Sequence, residues 1–222
     1  MPPGLKGAIA ALALATFTAC TMSSAEKSRL IAYHDSGQYM KDIAAVDAEA
    51  LQYLKERAPQ VKKPAVVLDI DETSLSNWPE LRANGIRFMA PGPCDRLPRG
   101  PCGLTAWQKM SAAKGIAPTV RLARAAQEAG VTVFFITGRH EALRAATAEN
   151  LTRAGFRGWK ELILRPGHSG TPSAADYKAP RRARIEEMGY TIIASIGDQQ
   201  SDLSGGHAER TFKLPNPFYY LP

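Results

Sequence analysis

Apolar residues follow two rhythms along this chain. Tyr39, Ile43, Val46, Ala50 and Leu54 recur every three or four positions, which predicts an amphipathic helix over 39–57. Pro59 and Pro64 bracket its end. The run Ala65-Val66-Val67-Leu68 then has no polar member and is bounded by a proline and an aspartate, so it reads as a short strand buried on both faces. The same alternation continues. A helix is predicted over 119–129 with Gly130 as its stop, and a β-branched and aromatic strand over 131–136. Residues 141–154 are helical, with Leu143, Leu151 and Ala154 on one face. A strand at 161–164, a helix at 180–188 with Pro180 in its first turn, and strands at 191–196 and 211–214 complete the series. Residues 76–117 break the rhythm with five prolines, two cysteines and one short helical piece around Leu104, Trp107 and Met110.

Strands alternating with helices of ten to fifteen residues imply βαβ units, hence an α/β fold with a parallel sheet and helices on both faces. In such sheets ligands bind beyond the carboxyl ends of the strands. That rule selects Asp69-Ile70-Asp71, Thr137-Gly138-Arg139 and the segment 197–202, GDQQSD, with Lys178 near a helix start at the same edge.

Composition narrows the picture only slightly. Hydrophobic residues are 45% and charged residues 22%, ordinary for a globular domain, and the formal charge is +7. A basic surface favours anionic partners, but no zinc-finger spacing, RNA-binding aromatic motif or dense basic block points to a nucleic-acid polymer. Residues 1–19 carry one lysine and an apolar stretch too short to span a bilayer, which fits a secretory leader. Phe17-Thr18-Ala19-Cys20 resembles a bacterial lipobox, making Cys20 a lipidated mature N-terminus. A plain leader cut after Ser23-Ser24-Ala25 is the competing reading. Export favours a disulfide between Cys94 and Cys102, against the alternative of two free thiols on a Pro/Gly-rich loop.

Three chemistries compete for the cluster Asp69, Asp71 and Glu72. An EF-hand counted from Asp69 has oxygens at the right places, but Ser74 replaces the turn glycine and a strand precedes the loop where a helix belongs. Helix capping by Asp71 or Thr73 is common but needs no Asp69. Phosphoryl transfer uses every part. One carboxylate attacks phosphorus, and a second, two residues on, protonates the leaving alkoxide and then deprotonates water. Asp198, with Asp202, supplies oxygen ligands suited to Mg2+, while Thr137, the Gly138 backbone and Lys178 meet the phosphoryl oxygens. Arg139 contacts either phosphate or a neighbouring carboxylate. Glu72 and Ser74 have no evident role.

In this arrangement the chain resembles the haloacid dehalogenase (HAD) superfamily of phosphohydrolases. Asp69-Ile70-Asp71-Glu72-Thr73 is similar to its DxDxT motif, Thr137-Gly138-Arg139 to the second motif, Tyr177-Lys178 to the third and 197–202 to the GDxxxD form of the fourth. The segments YHDSGQYMKD, LDIDETSLSNW, NLTRAGFRGWKELILR and RTFKLPNPFYY further resemble the acid phosphatases that include bacterial class C lipoprotein phosphatases and plant vegetative storage proteins. Ser76, Trp78 and Glu80 depart from the class C pattern, and Gln200 departs from the plant one.

The resemblance implies a HAD-like Rossmannoid domain over 26–222, with a small, mainly helical cap at about 76–117. It implies Asp69 as nucleophile, Asp71 as general acid/base, and Mg2+ held by Asp69, the Asp71 carbonyl and Asp198, with Asp202 beside them. Asn77 and Trp78 would open the cap and face the substrate. The implied protein is an exported acid phosphatase of small phosphomonoesters, 5′-nucleotides among them, periplasmic or anchored to a bacterial outer membrane only through lipid on Cys20. A storage or binding protein on the same fold, and a phosphotransferase, are the competing functions.

Overall fold

A computed structural model describes residues 22–167 and 174–221. The leader and Cys20 lie outside the described residues. Seven helices and seven strands are present among those described: α1 (Ser24–Asp35), α2 (Gln38–Arg57), β1 (Pro64–Leu68), β2 (Leu75–Ser76), α3 (Trp78–Ala83), α4 (Leu104–Lys109), β3 (Lys114–Gly115), α5 (Ala117–Glu128), β4 (Thr132–His140), α6 (Arg144–Arg153), β5 (Glu161–Arg165), α7 (Ala174–Glu187), β6 (Thr191–Gly197) and β7 (Arg210–Lys213).

Five strands form one sheet in the order β5-β4-β1-β6-β7, and every neighbouring pair is parallel. Alternating side chains of each strand serve opposite faces. Val66, Leu68, Val133, Phe135, Leu162 and Ile196 pack with α2, α5 and α6 in the larger core. Ala65, Val67, Phe134, Ile136, Ile163 and Ile192 meet Tyr177 and Ile185 of α7 on the other side. Burial on both faces is why β1 has no polar position.

Ser23 and Glu26 form a reciprocal capping box that starts α1. Three local expectations change. The strand predicted to stop at 136 continues to His140, so Thr137-Gly138-Arg139 extend β4, with a break in pairing between Ile136 and His140. The helix predicted over 141–154 is split into a 3-10 turn at Glu141–Leu143 and then α6. Helix α7 begins six residues before Pro180, which therefore lies inside it. An interior proline removes one helical hydrogen bond, and its presence hid the earlier turns that carry Lys178.

The segment 76–117 holds α3, α4, an antiparallel pairing of β2 with β3, and a Cys94–Cys102 disulfide. It is not detached from the sheet: Leu81, Ile86, Trp107, Ala113 and Ile116 lie in the larger core.

Asp47 of α2 is a buried acid remote from the sheet edge. One carboxylate oxygen accepts from Thr119 Oγ1 of α5 at 2.9 Å, and the other has no described partner. Burial pushes its carboxyl up to about 7, with Thr119 and Arg121 opposing. A raised folded-state pKa means the neutral form stabilises, fully below about pH 4 and progressively less as pH rises through 7. Asp47→Asn keeps the acceptor without the charge. It is expected to raise stability by about 2 kcal/mol at pH 8, below the ceiling of ~4 kcal/mol set by a three-unit shift. That gain should vanish at pH 4 in thermal melts.

Candidate active site

The central strand β1 ends at Leu68, and the next residue, Asp69, projects from the carboxyl edge of the sheet. Its backbone is fixed from both sides. Asp69 N donates to Ile196 O of β6 at 3.0 Å, and Ser74 Oγ donates to Asp69 O at 2.6 Å. Ser74 therefore gains the role that the sequence did not reveal. The loop turns tightly, with Ile70 O accepting from the backbone of Thr73, Ser74 and Leu75 and Glu72 at φ +55°.

Lys178, reaching in from the second turn of α7, donates to Asp69 Oδ1 at 2.5 Å and also to Asp202 Oδ1. Burial disfavours its charge, but Asp202 and Asp69 more than offset this and raise its pKa. Asp69, Asp198 and Asp202 each offer a carboxylate oxygen within 4.8 Å of the others, and all three residues are buried. Burial, then the charge of Asp202, push Asp69 well above the ordinary carboxylate range against the pull of Lys178. The same two causes push Asp198 up to about 7. Three hard oxygen donors facing a single ammonium fit a divalent cation bound by carboxylates.

Residues both near and distant in sequence hold the two later acids. Asp198 accepts from Thr73 Oγ1 at 3.0 Å, Gln199 Nε2 at 2.5 Å and Asn216 Nδ2 at 2.7 Å, while Lys213 Nζ donates to its backbone carbonyl at 2.8 Å. Asp202 Oδ2 accepts from the backbone N–H of Gln199 at 2.8 Å. Gly197 makes this approach possible: a Cβ there would lie 2.3 Å from Asp202 Cβ. Arg182, buried in α7, donates to the carbonyls of Asp202, Ser204 and Gly206 and fixes the loop beyond. Lys213 and Asn216 were missed as site residues. Their signal was the polar pair set within the apolar tail 211–220.

Asp71 stands apart from the triad. Arg139 decides its own open alternative in favour of a carboxylate: Nη2 donates to Asp71 Oδ1 at 2.7 Å and Nε lies 3.1 Å from both oxygens. Burial raises the Asp71 carboxyl, but the Arg139 charge and hydrogen bonds, with Asn77, outweigh it and leave it below the usual range. Thr137 is fully buried and its Oγ1 accepts from Arg139 N at 3.1 Å, while Gly138 between them is exposed with no neighbour within 4 Å of a built Cβ. The backbone there is open to a ligand.

Two expectations for the substrate side are corrected. Asn77 is 0% exposed and spends its polar atoms on Asp71, Glu72 and Trp107, so it faces the protein and not a substrate. Trp78 stacks on His34 of α1, with ring centroids 3.8 Å apart and planes 12° from parallel, and Arg82 lies 5.9 Å over the ring. Its aromatic surface is used in joining α1 to α3. Glu72 is likewise more than a bystander. It accepts from Asn77 N at 2.6 Å and from Tyr219 Oη at 2.7 Å, and burial with the nearby Asp71 charge pushes it up to about 8.

An open parallel α/β sheet whose central strand delivers paired aspartates to a lysine and a carboxylate triad defines a phosphoryl-transfer enzyme class. The chain belongs to the HAD superfamily, subfamily IIIB (Acid phosphatase), whose sequence model matches residues 8–222. It is 34% identical over 187 residues to Acid phosphatase 1 of Solanum lycopersicum, covering 82% of this chain and 69% of that one. The Stem 31 kDa glycoprotein of Glycine max is 34% identical over 193 residues, covering 85% and 72%. Vegetative storage protein 1 of Arabidopsis thaliana is also 34% identical over 193 residues, covering 84% and 67%. Among solved structures, a class C acid phosphatase from Bacillus anthracis with tungstate bound aligns with a TM-score of 0.65 at 20% identity, covering 87% and 86%. That last likeness is one of fold.

Proposed function

We propose that this chain is an exported, Mg2+-dependent phosphomonoesterase that works through an aspartyl phosphate on Asp69. The observation that carries the reading is the separation of roles at the sheet edge: Asp69 is gripped by Lys178 beside Asp198 and Asp202, whereas Asp71 is held apart by Arg139.

In the first step an Asp69 oxygen, ionised once a cation's charge offsets Asp198 and Asp202, bonds to phosphorus as the ester P–O bond breaks. Asp71, ionised at rest beside Arg139, must first take up the proton that it gives to the departing alkoxide. In the second step Asp71 takes a proton from water as the water oxygen bonds to phosphorus. The P–O bond to Asp69 breaks, releasing inorganic phosphate. Lys178 stays charged throughout and faces the oxygens on which negative charge gathers. Exposed Gly138 supports a backbone contact to the phosphoryl group, with Thr137 beside it. Asp69, Asp198, Asp202 and the Asp71 carbonyl would hold Mg2+, which would supply charge neutralisation at those oxygens. The disulfide supports an oxidising compartment and hence export, which mass spectrometry of the mature N-terminus tests at Cys20.

Dialysis against EDTA is expected to reduce hydrolysis of p-nitrophenyl phosphate to background, with recovery on adding Mg2+. Mg2+ should also raise the melting temperature of the wild type but not of Asp198→Asn, a readout independent of turnover. Undiminished hydrolysis in EDTA would end the metal-dependent reading. A storage role, suggested by the names of the plant relatives, requires that no phosphate ester be hydrolysed with or without metal.

A further inference from the structure

Asp71 has two oxygens in unlike surroundings. Oδ1 receives Arg139 Nη2 at 2.7 Å, Arg139 Nε at 3.1 Å and Asn77 Nδ2 at 2.8 Å, while Oδ2 receives only the shared Arg139 Nε at 3.1 Å. A proton on the carboxyl group cannot sit on an oxygen already facing three donors, so it belongs on Oδ2. A guanidinium alone leaves the carboxylate free to pivot about its fork. Asn77 removes that freedom, because its side-chain amide is itself held: Trp107 Nε1 donates to Oδ1 at 2.9 Å and Nδ2 also donates to Glu72 Oε2 at 3.0 Å, while the residue's backbone N–H anchors it to Glu72 Oε1 at 2.6 Å. Glu72 is in turn gripped by Tyr219, whose ring stacks on Phe88 at 3.9 Å. An asparagine with no exposed surface is costly to bury unless its amide is satisfied, and here it is satisfied only in one orientation.

We propose that Asn77 is a positioning residue for leaving-group protonation: it fixes which oxygen of Asp71 faces the departing alkoxide, and Trp107 of α4 and Glu72 fix Asn77. The inference rests on the phosphomonoesterase reading above. It makes the damage from losing Asn77 depend on the ester. A p-nitrophenolate leaves without a proton, whereas an alkoxide needs one, and general acid catalysis contributes roughly 10²–10⁴-fold.

The test compares kcat/KM of wild type, Asn77→Ala and Trp107→Phe on p-nitrophenyl phosphate and on a simple alkyl phosphate such as n-propyl phosphate. This ratio reports steps up to alcohol release and not the later hydrolysis of the acyl phosphate. For Asn77→Ala the alkyl ester should lose roughly tenfold or more, consistent with the sensitivity of proton transfer to misplacement, and the aryl ester less than about threefold. Trp107→Phe keeps the packing and loses one hydrogen bond, so it should show the same asymmetry at smaller amplitude. It decides the matter if Asn77→Ala does not fold. Equal losses on the two esters, a larger loss on the aryl ester, or no loss on either would overturn the proposal. A wild type that hydrolyses neither ester instead removes the reading on which it rests.

Discussion

Asp69→Asn is expected to abolish hydrolysis of p-nitrophenyl phosphate, a loss of roughly four orders of magnitude or more, while leaving the fold intact. The substitution is isosteric, and the amide oxygen is no nucleophile towards phosphorus. Its effect on stability should run the other way from its effect on activity. Asp69 belongs to a buried triad of carboxylates facing one lysine, and burial together with Asp202 already disfavours its charge. Removing that charge without metal leaves Lys178 paired to Asp202 and relieves repulsion within the triad. In EDTA the variant should therefore melt no lower than the wild type, and with Mg2+ it should gain less. Turnover above about one hundredth of wild type would exclude Asp69 as the nucleophile.

Lys178→Met should do damage of both kinds. It removes the ammonium that contacts Asp69 and Asp202, and breaking a buried ion pair by deleting one partner costs about 3–5 kcal/mol. Hydrolysis should fall with it, because the charge that faces the phosphoryl oxygens is gone. The loss of stability should depend on pH in a defined direction. Asp69 and Asp198 have folded-state pKa values above their ordinary range, so their neutral forms stabilise at low pH and that contribution is lost as pH rises. Lowering pH towards 4 should thus narrow the gap between variant and wild type, and Mg2+ at pH 7 should narrow it by mass action. Thermal melts with and without Mg2+ check this. A variant as stable as wild type at pH 7 in EDTA would show that Lys178 does not neutralise the site.

Much of this was legible because the catalytic groups sit where regular structure ends. An unbroken apolar run stopping at Asp69 marks both the strand and its edge, and Asp198 likewise follows directly on β6, a mostly apolar strand interrupted by Ser195. Lys178 was found by its motif, although the start of its helix was concealed by Pro180. What remained hidden depends on partners far away in the chain. Glu72 meets Tyr219 across 147 positions, and Asn77 meets Trp107 across 30. No local pattern encodes such pairings. Asn77 therefore read as a substrate contact, and Glu72 as unused. Trp78 too has its partner far away: His34 lies on α1, 44 positions earlier in the chain.

The strand order has a consequence for how the molecule becomes active. The first catalytic strand, β1, is central, and the strand that brings Asp198 beside it is made more than a hundred residues later, after β4, β5 and α7. Parallel pairing over such separations is slow, because loop closure must precede any reward from contact. A partly folded chain in which β4 and β5 have joined β1 already displays Asp69, Asp71 and Arg139, yet has nowhere to place Asp198 or Asp202. Half of the sheet can thus assemble in an inert form, and recovery of turnover during refolding should coincide with the arrival of β6 and not with the earlier gain of helix and strand.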